Sequence, residues 1–420
     1  QSPKLSSMEP RGKLKLTDHG EFESLPHTGL PEFVGKAGSY EFTCNSADVY
    51  RDAIDLGYSV VLDISGTGTG KTTSATLLEL EDKERLFYLT TTSRNPNHEK
   101  LETDFRELPA RNQGYVYDAQ KATPTGRPQR RIPKNGEVPS TVGNCHWTDK
   151  FIALRNCNST VNPCSLCTRE YFCMSSTGDG HGYKYQTRYA LGGDRIIANP
   201  QGISDTMIRR RDIGIVDEYS QSVEWLKKTE VRLDDVADLK QRFISDTQHT
   251  DQYKLMPLLN AVSNLLTDDM TSRWGLSTQD IIGKLAVIPQ EDLLEIKPII
   301  KEIVSNYNKQ VILQNKKEGR YGLEVLFVKE WVFLLVDILC GDLKNSSLSL
   351  VNGTLSIVVK NQRTIDNLTK FSTVIFQDAT GSRKDLALRL GVPAHEILVI
   401  RKVDPIPLNL VIHHVIGCGR

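Results

Sequence analysis

The sequence is short of several things, and each shortage narrows its class. It has no net charge, since 52 lysines and arginines face 52 aspartates and glutamates in 420 residues. Any surface that attracts nucleic acid must therefore come from local clusters. No apolar run approaches the roughly 20 residues that cross a bilayer, so no membrane partner is expected. The longest such run, Trp331-Val332-Phe333-Leu334-Leu335-Val336, stops at Asp337 and reads as a core helix. No secretory signal opens the chain, which makes a cytoplasmic location the expectation. No internal repeat is visible. The chain starts at Gln1 and stops at Gly417-Cys418-Gly419-Arg420, which reads as a segment of a longer protein.

What is present fits a soluble globular chain of two or three domains, with 39% hydrophobic and 25% charged residues. The pivotal stretch is Ser65-Gly66-Thr67-Gly68-Thr69-Gly70-Lys71-Thr72-Thr73. An apolar run, Val60 to Ile64, precedes it and reads as a buried strand; Thr73 to Leu78 reads as the start of a helix. Strand, glycine-rich turn and helix form the setting of a phosphate-binding loop. Glycines let backbone N–H groups face phosphate oxygens, and the helix start adds favourable charge. Lys71 would reach the β- and γ-phosphates of ATP, and Thr72 would ligate Mg²⁺. Ser65 stands where the usual pattern has glycine; a small residue still fits. The bland alternative is a glycine-rich turn with no ligand.

A second strand is expected at Leu86 to Thr90, running into Thr91-Thr92-Ser93-Arg94. Strand, helix and strand at this spacing point to a parallel α/β sheet. Asp212 to Asp217 reads as another strand, ending in the acidic pair Asp217-Glu218. A carboxylate there would hold Mg²⁺, and Glu218 would orient or deprotonate an attacking water. The competing reading is an acid pair that starts a helix. Ser372 to Phe376 repeats the pattern and runs into Gln377-Asp378-Ala379-Thr380-Gly381.

Five of the eight cysteines lie between Cys145 and Cys173, as Cys145, Cys157, Cys164, Cys167 and Cys173. Clustered thiols with one C-x₂-C pair suit tetrahedral Zn²⁺ or an iron–sulfur cluster. A second C-x₂-C is lacking, so this is no plain zinc ribbon. Spacing leaves the spare fifth cysteine open; buried free thiols are the other reading. Asp118 to Thr141, rich in Arg, Pro and Gly, reads as an exposed basic loop. Gly178 to Tyr185 reads as a flexible aromatic and basic stretch that could stack bases or pack on the metal site. From Glu224 to Thr364 helical periodicity dominates, as in Leu255, Leu258, Leu259, Val262, Leu265 and Leu266. Ser347 to Val359 reads as a hairpin about Asn352-Gly353. Ser46 is expected to cap a short helix to Ile54.

In this order the pieces resemble the first motor domain of a superfamily 2 DNA helicase of the iron–sulfur, XPD/DinG type. Ser65 to Thr72 resembles motif I, Thr90 to Ser93 motif Ia, Asp217-Glu218-Tyr219-Ser220 motif II and Asp378 to Gly381 motif III. Ala198-Asn199-Pro200 is like that family's Thr-Asn-His turn. Within the group the text is most similar to the helicase part of cyanobacterial plasmid replication proteins of the CyRepA type. The resemblance implies a RecA-like P-loop parallel sheet with a cysteine-rich Fe–S insertion and a mostly helical, arch-like insertion. It implies a linker at 1–38, motor segments at 39–115, 193–223 and 365–420, the cysteine insertion at 116–192 and the helical one at 224–364. It implies ATP hydrolysis coupled to movement on single-stranded DNA or a fork, in replication or repair, with Lys71, Asp217 and Glu218 catalytic. It also implies a 4Fe-4S cluster on Cys145, Cys164, Cys167 and Cys173, with Cys157 spare, in a domain that wedges strands apart. Tyr219-Ser220 departs from the family's Ala-His and Asp378 from its Ser, which puts the coupling of motifs II and III in question. The arginine-bearing second motor domain is not within these residues, so ATP binding with slow hydrolysis is expected. The alternative is a non-helicase P-loop ATPase switch with a zinc-stabilised insertion.

Overall fold

The computed structural model describes residues 23–24, 30, 37–66, 68–91, 105–111, 116–122, 128–131, 145, 147–156, 161–167, 173–174, 182–245, 251–268, 276–317, 329, 331–343 and 346–403. Its strands, in chain order, are β1 Glu23–Ser24, β2 Ser39–Phe42, β3 Val60–Asp63, β4 Arg85–Leu89, β5 Arg106–Glu107, β6 Val116–Ala122 and β7 Pro128–Arg131. Then follow β8 Arg195–Ala198, β9 Asp212–Asp217, β10 Leu226–Val231, β11 Ser347–Val351, β12 Thr354–Lys360, β13 Thr373–Gln377 and β14 Ile397–Lys402. The chain divides into two compact units, one spanning 1–108, 190–223 and 363–420, the other 109–189 and 224–362.

The first unit is built on a nine-stranded sheet in the order β1-β2-β14-β3-β13-β9-β4-β8-β5. Every neighbouring pair is parallel. The P-loop α/β sheet expected from the sequence is therefore present. Its central strands are near-continuous apolar runs, such as Leu86 to Leu89 and Ile397 to Ile400, and all of these residues are buried. That is the signature of a sheet covered on both faces. One glycine matters here: a Cβ on Gly214 of β9 would lie 3.0 Å from the Phe371 ring. Its absence lets Phe371 pack against Phe87, with centroids 5.4 Å apart.

The helix Ser46–Asp55 contributes Val49, Tyr50 and Ala53 to this core. Its cap is Asn45 rather than the expected Ser46: the Asn45 Oδ1 accepts from the Ala47 N–H at 3.2 Å, and Ser46 is already helical and buried. Within the stretch expected as a linker, Glu23–Ser24 pairs in parallel with β2.

The second unit holds an antiparallel sheet, β10-β12-β11. The hairpin β11–β12 turns at Asn352 and Gly353, with φ of 48° and 69°, as the Asn-Gly signal requires. The strand β10 adds to the expected hairpin in this mostly helical stretch; it pairs with β12 from Leu226↔Lys360 to Val231↔Leu355. Helices Leu233–Ser245, Met256–Thr267, Thr278–Leu285, Gln290–Lys317 and Trp331–Leu339 share one core with this sheet, through Phe243, Leu258, Ile296, Trp331, Leu335 and Ile357. The Arg-rich stretch is also corrected, because β6 and β7 form an antiparallel pair where a loop was expected. Tyr183–Leu191 is a helix, so Tyr183, Lys184 and Tyr185 are not part of a flexible loop.

Candidate functional site

At the carboxyl ends of the central strands, three polar residues stand in one row. Gln377 closes β13 and is in register with Asp63 of β3 on one side and Asp217 of β9 on the other. Two strand spacings, roughly 10 Å, separate the phosphate-loop strand from the acidic strand. Lys71 and Asp217 are thus at the same end of the same sheet. Crevices beyond such strand ends are where open α/β sheets take ligands.

The loop leaves β3 through Ile64 and buried Ser65, and Gly68 and Gly70 both adopt φ of 84°. That left-handed backbone is open to glycine and strained for other residues. Gly66, Gly68 and Gly70 are exposed, and Lys71, Thr72 and Thr73 are half-buried in the first turn of the helix Lys71–Leu77. Thr67 lies outside the described residues. The Lys71 ammonium donates to the Ser65 carbonyl at 2.6 Å, spanning the loop it would serve.

Tyr88 of β4 ties the two sides together. Its hydroxyl is 3.5 Å from Thr72 Oγ1 and lies close enough to the Asp217 carboxylate to feel its charge. Burial, then the charge of Asp217, holds this phenol well above the usual tyrosine range, so it remains a donor. Asp217 is half-buried, and Glu218 is exposed with φ of 44°. A left-handed glutamate is uncommon, and such strain gathers at functional sites. Here it turns the chain sharply out of β9 and leaves the Glu218 side chain in solvent at the strand end.

Two residues that depart from the resemblance, Ser220 and Asp378, bond to one another. The Ser220 hydroxyl donates to Asp378 Oδ2 at 2.5 Å, and the Thr380 N–H and hydroxyl donate to Asp378 Oδ1 at 2.9 and 2.7 Å. Burial works against this charge, but the Ser220 and Thr380 bonds outweigh it and hold the carboxyl below its ordinary value. Tyr219 packs edge-on to Phe376, with centroids 5.6 Å apart, and its hydroxyl accepts from the Ser382 N–H at 3.3 Å. Burial pushes that phenol up to about 12. In the turn expected to touch a ligand, Thr90 is buried and Thr91 exposed; residues 92–100, Arg94 among them, lie outside the described residues. Asn199 caps the short turn Pro200–Gly202, accepting from the Gln201 N–H at 2.9 Å.

In the second unit Arg111 lies beside Cys145. Its guanidinium lies between the Phe151 and Tyr183 rings, 3.8 and 3.9 Å from their centroids, and donates to Cys145 Sγ at 3.6 Å. Cys164 is the second residue of the turn Pro163–Leu166 and its N–H donates to the Asn162 cap, and the Cys167 N–H donates back to the Cys164 carbonyl at 3.2 Å. The Lys184 N–H donates to Cys173 Sγ at 3.3 Å. Burial pushes the Cys173 thiol up, and Cys145, Cys164 and Cys167 are close enough for their charges to push it further. Thiolates are the right donors for zinc or an iron–sulfur cluster, and the four expected ligands are near enough for their charges to act at Cys173. Among the described residues no three of these side chains stand at metal-binding separation. Cys157 lies outside the described residues.

Sequence reading missed Tyr50, Asp63, Tyr88 and Gln377. For Asp63 and Gln377 a signal existed: each is a polar residue closing an otherwise apolar strand.

No family model matches the sequence, and no curated protein does. Among solved structures the chain is similar to "XPD_Helicase", at 14% identity and TM-score 0.41, covering 83% of this chain and 61% of that one. It is similar to "Truncated XPD", at 14% identity and TM-score 0.43, covering 84% of this chain and 97% of that one. A third is "XPD_APO", at 15% identity and TM-score 0.37, where the chain spans 56% of the other's length. The narrower likeness to cyanobacterial plasmid replication proteins finds no support among these structures, whose shared name is XPD.

Proposed function

We propose that this chain is the first motor domain of an ATP-dependent DNA helicase of the iron–sulfur type, cytoplasmic and acting in DNA replication or repair. The observation that carries the reading is the shared position of Thr72 and Asp217 against the Tyr88 hydroxyl, at the sheet end that also holds Lys71. In this reading Lys71 leaves the Ser65 carbonyl for the β- and γ-phosphates of ATP. Gly66, Thr67, Gly68, Thr69 and Gly70 wrap the phosphates with backbone N–H groups. Thr72 and Asp217 would hold Mg²⁺, which supplies neutralising charge to the phosphates. Glu218, exposed at the strand end, orients the attacking water and takes its proton. Asp378 and Ser220 tie the acidic loop to the motif III turn, the join through which a translocation step on single-stranded DNA would pass. An arginine from a second motor domain completes the charge stabilisation.

The test is binding of a fluorescent ATP analogue and phosphate release, with and without single-stranded DNA. The chain should bind Mg·ATP, with Lys71→Ala weakening binding by about tenfold or more. Glu218→Gln should bind and not turn over. Full-motor turnover by the chain alone would remove the need for the second domain; no nucleotide binding would end the motor reading.

For the thiols we propose a 4Fe-4S cluster on Cys145, Cys164, Cys167 and Cys173, supported by the mutual influence of their charges at Cys173 and by the C-x₂-C pair. Cys164→Ser should abolish a brown absorption near ~400 nm. Colourless protein with stoichiometric zinc would instead favour the non-helicase ATPase switch.

A further inference from the structure

Beneath the phosphate loop lies a buried carboxylate to which the chemistry above gives no task. Asp63, the last residue of β3, is fully buried. Its Oδ1 accepts from the Ser65 N–H at 2.8 Å and from the Ser65 hydroxyl, and its Oδ2 accepts from the Tyr50 hydroxyl. Tyr50 accepts in turn from the Gln377 amide at 2.9 Å, and the same amide donates to the Lys71 carbonyl at 3.3 Å. Ser65 makes two further bonds: its hydroxyl accepts from the Lys402 N–H at 2.8 Å, and its carbonyl holds the Lys71 ammonium at 2.6 Å. The bonds form a closed path that begins at Asp63 and reaches Lys71 twice, once at its ammonium and once at its backbone.

A carboxylate taken out of water without a paired cation is costly unless donors surround it. Three donors do so here, and burial and the Asp63 charge keep the Tyr50 phenol well above its usual range, so it stays a donor. Glycine, the usual residue at position 65, has no hydroxyl to give Asp63 or to receive the Lys402 N–H. The serine and the aspartate two residues before it are a matched pair.

We infer that Asp63 is a positioning residue for Lys71: it fixes the Ser65 peptide whose carbonyl holds the ammonium over the loop, ready for transfer to phosphate. The inference rests on the nucleotide reading above.

Asp63→Asn is nearly isosteric and replaces one acceptor oxygen with a donor. That donor would face the Tyr50 hydroxyl, which already receives the Gln377 amide. Binding of a fluorescent ATP analogue is measured for the full chain, Asp63→Asn, Lys71→Ala and the double variant, alongside thermal unfolding. Asp63→Asn should weaken binding about tenfold, the size of losing a hydrogen bond to a charged group. In the Lys71→Ala background the same change should cost nothing further, because the residue acts through the lysine. Wild-type affinity in Asp63→Asn, or an equal loss with and without Lys71, overturns the inference; the second result leaves Asp63 a merely structural group. Should Asp63→Asn fail to fold, Ser65→Gly restores the ordinary loop and removes one of the two Ser65 bonds. It should lose affinity severalfold, again only when Lys71 is present, and equal losses in both backgrounds overturn the inference. A wild-type chain that binds no ATP overturns this inference together with the nucleotide reading, whereas binding indifferent to Asp63 overturns this one alone.

Discussion

The two ends of the parallel sheet bury the same chemical group in different company. At the amino ends, Arg85 of β4 and Asp212 of β9 are register partners, with side chains 4% and 0% exposed. Arg85 donates to both carboxylate oxygens at 3.0 and 2.5 Å and to the carbonyls of Leu191 and Met207, each at 2.8 Å. Asp212 also accepts from the Arg209 N–H at 2.7 Å. At the carboxyl ends, Asp63 is surrounded by hydroxyls and a backbone N–H, and the cation of Lys71 is held apart from it on a carbonyl. The amino end has its charges cancelled within the protein. The carboxyl end keeps cation and carboxylates separate, which suits the proposed nucleotide, a ligand that brings charge of its own.

The largest expected effect tests the closed end. Arg85→Met leaves Asp212 buried without its cation and should destabilise the first unit by about 3–5 kcal/mol. Replacing both, with Arg85→Met and Asp212→Leu, should recover most of that, because two apolar side chains need no charge balance. Chemical denaturation measures both. A single variant that loses under about 1 kcal/mol would show that the pair is no more than a surface-type contact.

A smaller effect, of a different kind, tests the open end. Tyr88→Phe removes one buried hydroxyl, a loss of about 1.5 kcal/mol in stability. Its sharper consequence should be in cation dependence. The Mg²⁺ concentration that half-saturates ATP binding should rise severalfold, while binding in chelator stays unchanged. Equal losses with and without Mg²⁺ would separate Tyr88 from the Thr72 and Asp217 pair.

The contrast between the ends was only partly legible in the residues. The strand, glycine turn and helix from Val60 to Leu77 declare themselves locally, because apolar runs and glycine spacing are short-range signals. So does the Asn352-Gly353 hairpin. The network below the loop does not, since Tyr50 and Gln377 are 327 positions apart and a tyrosine inside an amphipathic helix reads as ordinary core. β10 was hidden for a related reason. Leu226-Lys227-Lys228-Thr229-Glu230-Val231 carries few apolar residues, and its extended form is decided by pairing with β12 far along the chain. The thiols were visible as a group, but the contact of Cys145 with Arg111, 34 positions before it, is contained in no spacing rule.

The smallest effect sharpens what the open end does with its remaining charge. Ser220→Ala removes one of the hydroxyl donors from Asp378 and should cost about 1 kcal/mol near neutrality. The sign with pH is fixed by linkage. The folded Asp378 carboxyl lies below its ordinary value, so its ionisation stabilises the fold above the unfolded value of about 3.9. That contribution is lost as pH falls through the folded value. Removing Ser220's bond raises the folded value towards the ordinary one. The gap between wild type and variant should therefore be full above about pH 4 and narrow below it, as both carboxyls become protonated. A gap that persists unchanged into acid would show that Ser220 serves packing and that the charge of Asp378 has no part in joining the acidic loop to the turn at Thr380.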